Sequence, residues 1–270
     1  MYYILYNYNG DTMKMRMLGA AILLVVLVPL VILGGLPFEL GVAAIAALSF
    51  RELIILFKKK NKIPLVMEIF SYIGVVVITL SLDSILQAIA LVIMILFIPL
   101  IIFKKEEYSF NSVTSLLGII IFIGVIYHSV INVRMGSIWE LVYLLSITIL
   151  TDTFAYLGGR FFGKNKLLER ISPNKTIEGS LAGLIVSTTI SSIFYLFIIN
   201  PSINVGLVVL ICFILSIVGQ IGDLVFSAIK REFDIKDYSN LIPGHGGMLD
   251  RFDSIAFVTL FYIVIKLLFL

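Results

Sequence analysis

The chain has 270 residues, of which 60% are hydrophobic and 14% charged, whereas an ordinary soluble domain has roughly 45–50% and 25%. These proportions exclude a water-soluble globule. The net charge of +3 is too small to indicate nucleic-acid binding, and Cys212, the single cysteine, excludes an intrachain disulfide and a cysteine-rich metal site.

Nine apolar runs follow one another along the chain. A transmembrane helix needs about 20 apolar residues, and most of these runs reach that length, although the third is short and contains Glu68. The runs are 17–35, 37–57, 63–80, 84–103, 112–132, 137–158, 177–199, 203–229 and 252–269. We therefore predict an all-α, polytopic integral membrane protein with about nine transmembrane helices. Residues 1–140 would form a scaffold with dimer and lipid contacts, and residues 141–270 a catalytic membrane region.

The basic residues predict the orientation, because cytoplasmic loops carry an excess of Lys and Arg. With a cytoplasmic N-terminus, 17 of the 20 Lys and Arg residues fall on the cytoplasmic side, and the outer loops contain Arg134 alone. This pattern places two long polar loops, and any active site built from them, on the cytoplasmic side. We expect the membrane to be the cell's inner membrane.

The loop between the eighth and ninth runs carries the strongest chemical pattern. Asp223 lies near the end of an apolar run, where a carboxylate is costly and is by default a functional candidate. Continuing that helix puts Ser227, Lys230 and Asp234 on the face of Asp223. Asp250 and Asp253 then follow around the start of the ninth run. Carboxylates that converge from two helix ends suit Mg²⁺, which prefers oxygen ligands and shares them with substrate phosphates.

The same loop contains groups that bind phosphates. Its cations are Lys230, Arg231, Lys236 and Arg251, and its glycines include Gly246 and Gly247. Glycine-rich backbone and the N-terminus of the ninth helix supply N–H donors for anions. The pattern therefore predicts a polyphosphate held through a metal ion, although charges flanking membrane spans are often only solvated loop residues.

A second polar group surrounds the loop between the sixth and seventh runs. Asp152 lies inside the sixth run, and Ser172, Lys175 and Glu178 precede or begin the seventh. Asp152 is again too costly in an apolar helix to lack a role, whereas Ser172 and Glu178 are also typical helix-capping residues.

Residues 158–164 fit the start of a phosphate-binding P-loop, G-x-x-x-x-G-K. Asn165 replaces the required Ser or Thr, and a membrane helix precedes the motif where a P-loop needs a strand. We therefore do not interpret these residues as a P-loop.

Five other residues allow simpler interpretations. His128 is expected to be a packed or interfacial histidine. Arg51 and Glu52 either extend toward the membrane interface or pair with each other, and Glu52 alternatively faces the site. Gly179 and Gly183 have the small-xxx-small spacing of closely packed membrane helices.

Residues 227–253 resemble the signature of phosphatidate cytidylyltransferases, also called CDP-diacylglycerol synthases. The matching positions are Ser227, Ile229, Lys230, Arg231, Lys236, Asp237, Ser239, Ile242, Pro243, His245, Gly246, Gly247, Met248, Asp250, Arg251, Phe252 and Asp253. Asp152-x-x-Ala155-Tyr156 and Ser172-Pro173-x-Lys175-Thr176-x-Glu178-Gly179 resemble the family's second conserved region.

The resemblance implies an enzyme that condenses CTP with phosphatidic acid and releases CDP-diacylglycerol and pyrophosphate. It also implies a homodimer and dependence on Mg²⁺, usually with a second cation, at Asp223 and Asp250. We assign catalysis to Asp223, Asp250, Lys230 and Arg231. The expected substrate-binding residues are Asp152, Ser172, Lys175, Glu178, Ser227, Lys236, Asp237, His245, Gly246, Gly247, Arg251 and Asp253.

Two alternatives remain open from the residues. A CTP-dependent lipid kinase would use the same nucleotide but transfer its γ-phosphate. A transporter would have acidic residues near the membrane midplane and two related halves, and no internal repeat is visible in the sequence.

Overall fold

Helices make up most of the described chain. The computed structural model describes residues 2–80, 88–89, 91–92, 110–242, 244 and 246–270. Its helices are α1 (Tyr2–Leu33), α2 (Gly35–Lys60), α3 (Leu65–Thr79), α4 (Phe110–Gly136), α5 (Ile138–Phe162), α6 (Ile177–Phe194), a π-helical turn (Tyr195–Ile199), α7 (Val205–Glu232) and α8 (Leu249–Phe269).

The prediction of an all-α, polytopic membrane protein is confirmed. Six helices in the described part of the chain are long and apolar enough to cross a membrane, and Met17–Leu33 and Leu65–Thr79 are shorter apolar helices. The third predicted run is thus a helix of only 15 residues. The fourth, 84–103, lies outside the described residues except at 88–89 and 91–92. The number of spans and the cytoplasmic N-terminus therefore stay predictions.

A small β-hairpin interrupts the helices, where the sequence analysis expected only a polar loop. Strand β1 (Lys166–Leu168) pairs antiparallel with β2 (Ser172–Thr176). The hairpin connects α5 to α6, and its second strand runs directly into the first turn of α6. Residues of β2 are therefore held at a fixed position beside that helix end.

The chain divides into two compact units, and the first comprises residues 1–131 and 237–251. Its helices are joined by the hydroxyls of Ser49 and Tyr127, which are hydrogen-bonded at 2.6 Å. The ring of Phe50 packs edge-to-face against Tyr72. His128 contacts the Thr79 carbonyl through Nδ1 at 3.1 Å, which confirms it as a packed histidine.

The second unit comprises residues 132–236 and 252–270. Buried polar pairs link its helices: Thr151 with Ser216 at 2.8 Å, and Tyr143 with Cys212 at 3.1 Å. Residues 237–251 belong to the first unit, whereas the sequence predicts a single division of the chain, near residue 140. That earlier division concerned function and stays a prediction.

Candidate functional site

A cavity of about 480 Å³ lies in the second unit, between the C-terminal half of α5, the hairpin, the start of α6 and the C-terminal half of α7. Its lining comprises Asp152, Ala155, Tyr156, Gly159, Arg160, Leu167, Ser172, Asn174, Lys175, Thr176, Ser180, Gln220 and Asp223. Four residues predicted from sequence, Asp152, Ser172, Lys175 and Asp223, therefore meet in one cavity. Carboxylates, a hydroxyl and cations line it together.

Lys175 and Asp223 form the central contact of this cavity. The Lys175 ammonium on β2 is paired with Asp223 Oδ2 on α7, and both side chains are about a quarter exposed. One turn further along α7, the Ser227 hydroxyl donates to Asp223 Oδ1 at 3.2 Å. The predicted helical face of Asp223 and Ser227 is thus confirmed. The hairpin supplies Lys175, whose ammonium group neutralises the Asp223 carboxylate.

Two further carboxylates add negative charge near Asp223. Asp152 interacts electrostatically with Asp223 and with Lys175. Asp253, in the first turns of α8, interacts with Asp223, Asp152 and Lys230, and it accepts a hydrogen bond from the Ser254 N–H at 2.7 Å. Lys230 is buried. The end of the helix bundle therefore combines three carboxylates with two ammonium groups.

Asp234 does not extend the polar face of α7, so that expectation is wrong. The helix ends at Glu232, and Asp234 has a left-handed backbone conformation with φ of 52°. The N–H groups of Phe233 and Ile235 both donate to the carbonyl of Lys230, which closes the helix end. The helix ends two residues before position 234, so Asp234 does not lie on the helical face of Asp223.

The hairpin is attached to the helices by Glu178 and Arg231. The Glu178 carboxylate accepts from the backbone N–H groups of Lys164 and Asn165 at 3.1–3.2 Å, and from the Asn165 amide at 2.8 Å. Arg231 donates to the carbonyl oxygens of Ile171 and Ile235. Neither residue is part of the cavity lining, so these contacts favour a role in holding the hairpin. Their predicted roles in substrate binding and catalysis stay predictions.

The same contacts account for the P-loop-like sequence. Residues 158–162 are the last turn of α5, and the N–H groups that follow bind Glu178. The interpretation against a P-loop is confirmed.

Helices α5 and α6 cross closely at small residues. A Cβ on Gly183 would lie 2.5 Å from the Thr151 carbonyl oxygen, and one on Gly179 would overlap the Ala155 carbonyl. Gly158 packs against Ala182 in the same way. The predicted small-xxx-small packing is confirmed.

The glycine-rich segment lies in the first unit. Residues 237–242, 244 and 246–250 of the chain, here called the signature segment, carry Asp250, whose Oδ2 accepts from the N–H groups of Tyr238 at 3.0 Å and Gly247 at 2.9 Å. The N–H groups of Met248 and Leu249 donate to Glu52. Three successive donors at the start of α8 therefore already bind protein carboxylates. That they serve a phosphate stays a prediction, and a phosphate would have to replace these carboxylates.

The remaining predicted residues fall into three groups. Lys236, Asp237 and Arg251 are exposed, Gly246 is half-buried with φ of 86°, and His245 lies outside the described residues. Asp223 and Asp250 belong to different units, so their pairing at one metal centre stays a prediction. Within the described part of the chain, no three His, Cys, Asp or Glu side chains are grouped to hold a metal ion.

Sequence reasoning missed several cavity residues. Ser180 donates to the Gln220 amide oxygen, and the Gln220 amide group donates back to the Ser180 carbonyl at 3.4 Å. Gln220 precedes Asp223 by three residues in an apolar helix, and this spacing was an available signal. Arg160 and Asn174 gave no comparable signal, because polar residues near helix ends are common.

The chain was compared with known proteins. A model of the cytidylyltransferase family matches residues 14–269. A protein of Staphylococcus haemolyticus named phosphatidate cytidylyltransferase is 37% identical over 254 residues, which cover 91% of this chain and 96% of that relative. A Bacillus subtilis protein of the same name is 35% identical over 271 residues, covering 95% and 98%. The similarity therefore includes both units.

Proposed function

The chain belongs to the cytidylyltransferase family, and from this premise we propose that it is a phosphatidate cytidylyltransferase. It would transfer CMP from CTP to phosphatidic acid, giving CDP-diacylglycerol and pyrophosphate, as a step in phospholipid biosynthesis. The single observation that carries this proposal within the structure is the cavity in which Lys175 is paired with Asp223. It supplies cations for phosphates and carboxylates for a metal ion in one place.

The proposed reaction needs little acid–base chemistry from the protein. A phosphate monoester has a second pKa near 6, so the lipid headgroup is largely dianionic at neutral pH and can attack the α-phosphorus of CTP directly. Pyrophosphate leaves as the new P–O bond forms. The barrier arises because two anions must approach each other. Correct positioning of the reactants and cationic groups lower this barrier. Lys175 and Arg160 of the cavity, with Lys230 beside Asp253, are suited to this role.

The donor set of the cavity fits Mg²⁺. This ion is usually held by one or two carboxylates together with waters and substrate phosphates, and Asp152 and Asp223 both line the cavity. We propose that Asp223 holds the cation, with Asp250 as its partner as the resemblance implies and Asp253 as a neighbouring charge. Bound Mg²⁺, with the second cation that the resemblance implies, would neutralise phosphate charge. When the nucleotide binds, Lys175 would exchange Asp223 for a phosphate oxygen.

The lipid is proposed to enter laterally. Ile149, Asp152 and Tyr156 are spaced to share one face of α5, and Ile149 and Tyr156 are 61% and 65% exposed. An apolar outer face therefore continues into the cavity. This arrangement would let acyl chains stay in the bilayer while the headgroup reaches the nucleotide.

We propose that the site faces the cytoplasm, where CTP is available. The distribution of basic residues supports this orientation, and the cavity lies at the helix ends next to the loop that contains five of those residues. The homodimer implied by the resemblance also remains a proposal. Cross-linking of the purified protein in detergent tests it.

The decisive experiment follows the label from CTP. Purified protein is incubated with phosphatidic acid, Mg²⁺ and CTP labelled at either the α- or the γ-phosphate. We expect α-label in lipid and γ-label in pyrophosphate, and a large loss of transfer in Asp223→Asn. Transfer of γ-label into lipid would instead identify a lipid kinase. Wild-type rates in Asp223→Asn would reject the proposed site.

A further inference from the structure

Glu52 binds the signature segment through both of its carboxylate oxygens. It lies on α2 and is 4% exposed. Its Oε1 accepts from the Ser239 hydroxyl at 2.6 Å and from the Met248 N–H at 2.8 Å, and its Oε2 accepts from the Leu249 N–H at 2.9 Å. A buried charge is tolerated where such donors surround it. Glu52 thus joins residues near both ends of the segment to one helix.

Asp250 is fixed by the same stretch of backbone. The Gly247 N–H, which precedes the two donors to Glu52, binds Asp250 Oδ2 at 2.9 Å. Three successive N–H groups therefore bind two carboxylates: the first donates to Asp250 and the next two donate to Glu52. The Ile242 N–H also donates to the Gly246 carbonyl at 2.9 Å. A change at Glu52 would alter the backbone that orients Asp250.

The approach of Glu52 is close enough to require glycine at position 247. A Cβ there would lie 2.6 Å from Glu52 Oε1 and 2.8 Å from its carboxylate carbon. Glutamine in place of Glu52 would fit sterically. Its amide group has one acceptor oxygen and a donor nitrogen, so one N–H of the segment would face another donor.

We infer that Glu52 is a positioning residue, which sets the signature segment and the Asp250 carboxylate for catalysis without touching substrate. The kinetic part of this inference, a lower rate of catalysis without Glu52, rests on the proposed function. Its structural part, that the Glu52 carboxylate orders the segment, is independent of that function. Groups that orient metal ligands typically change metal affinity or activity by 10–100-fold when removed.

The test compares Glu52→Gln with Glu39→Gln, the same substitution on the same helix at a half-buried glutamate. Hydrogen exchange of peptides covering 237–251 is measured in detergent without metal or substrate. Transfer from α-labelled CTP is then measured as a function of Mg²⁺ and lipid. We expect faster exchange in Glu52→Gln, about tenfold lower kcat and a higher Mg²⁺ requirement, with little change in the KM for lipid. Glu39→Gln should match the wild type.

The outcomes separate the possible failures. Wild-type exchange in folded Glu52→Gln would overturn the inference, as would faster exchange with unchanged kinetics, which would indicate a stabilising role only. If wild-type protein transfers no α-label, the proposed function fails, and the exchange data still decide whether Glu52 orders the segment. If Glu52→Gln does not fold, Ser239→Ala replaces it. That variant removes one donor and should change exchange and Mg²⁺ dependence in the same direction, and wild-type behaviour would overturn the inference.

Discussion

Lys175 on the hairpin pairs with Asp223 on α7, although 48 residues separate them in the chain. The pair neutralises a carboxylate that also has Asp152 and Asp253 near it. A lysine that balances these carboxylates is well placed to bind phosphate when a nucleotide and a cation enter. The hairpin thus brings the Lys175 ammonium group into contact with α7.

Replacing Lys175 by Met should lower CMP transfer by about 100-fold or more, because removing one preorganised group that stabilises developing charge typically costs that much. Lys164→Met is the control, since Lys164 is exposed and is not part of the cavity lining. It should change the rate by no more than about twofold. The measurement is incorporation of α-label from CTP into lipid. Equal rates in the two variants would remove Lys175 from the mechanism.

The Lys175 pair should also be visible in stability. The coupling between Lys175→Met and Asp223→Asn in a double-mutant cycle is expected to be about 1 kcal/mol, the upper value for a partly exposed ion pair. Thermal unfolding of the single and double variants in detergent measures it. Additive effects would show that the pair does not contribute to the free energy of unfolding.

Asp152→Asn should make the metal-free protein more stable while lowering its activity. Three carboxylates interact at this site, so removing one charge reduces their repulsion, by about 0.5–2 kcal/mol for a favourable charge change. Mg²⁺ should stabilise the wild type, by about 2.7 kcal/mol at 100 times its Kd, and the variant less. Unfolding temperatures with EDTA and with Mg²⁺ measure both effects.

Glu169→Gln, which removes an exposed carboxylate from the hairpin turn, provides the control for Asp152→Asn. It should leave the response to Mg²⁺ unchanged. A destabilised Asp152→Asn protein, or one with wild-type activity, would contradict the prediction.

The sequence predicted most helices because an apolar run of sufficient length has few alternatives in a membrane. Run 203–229 corresponds to α7, Val205–Glu232. The hairpin was not predictable in this way, since its strands of three and five residues are held by side chains outside them, such as Glu178 and Arg231.

The site was predictable where a charge inside an apolar helix is costly, as for Asp152 and Asp223. Glu52 had the same signal, but its role depends on Ser239, which is 187 residues away. Spacing along one helix cannot identify a partner at that separation. The left-handed residue Asp234 was missed for another reason: helix periodicity does not indicate where the helix ends.

The α5–α6 crossing should not tolerate a side chain at Gly183. Its Cβ would meet the Thr151 carbonyl oxygen, and overpacking of this kind costs about 1–3 kcal/mol. Gly183→Ala should therefore lower the unfolding temperature and, by separating Asp152 from the hairpin, the transfer rate. Gly118→Ala is the matched control, because nothing lies within 4 Å of its Cβ, and alanine favours a helix interior. Equal unfolding temperatures would contradict the close crossing.

Cys212 should report on opening of the second unit. It is fully buried, and its sulfur lies 3.1 Å from the Tyr143 hydroxyl. Thiol reagents attack an exposed thiolate, and a buried cysteine is inert. A maleimide should therefore label the native protein in detergent very slowly and the unfolded protein rapidly.

Tyr143→Phe removes a hydrogen bond worth about 1 kcal/mol and should speed labelling about fivefold, if labelling follows the open population. Gly183→Ala should also speed it, whereas Gly118→Ala should not. Rapid labelling of the wild type would mean that Cys212 is accessible in the native protein.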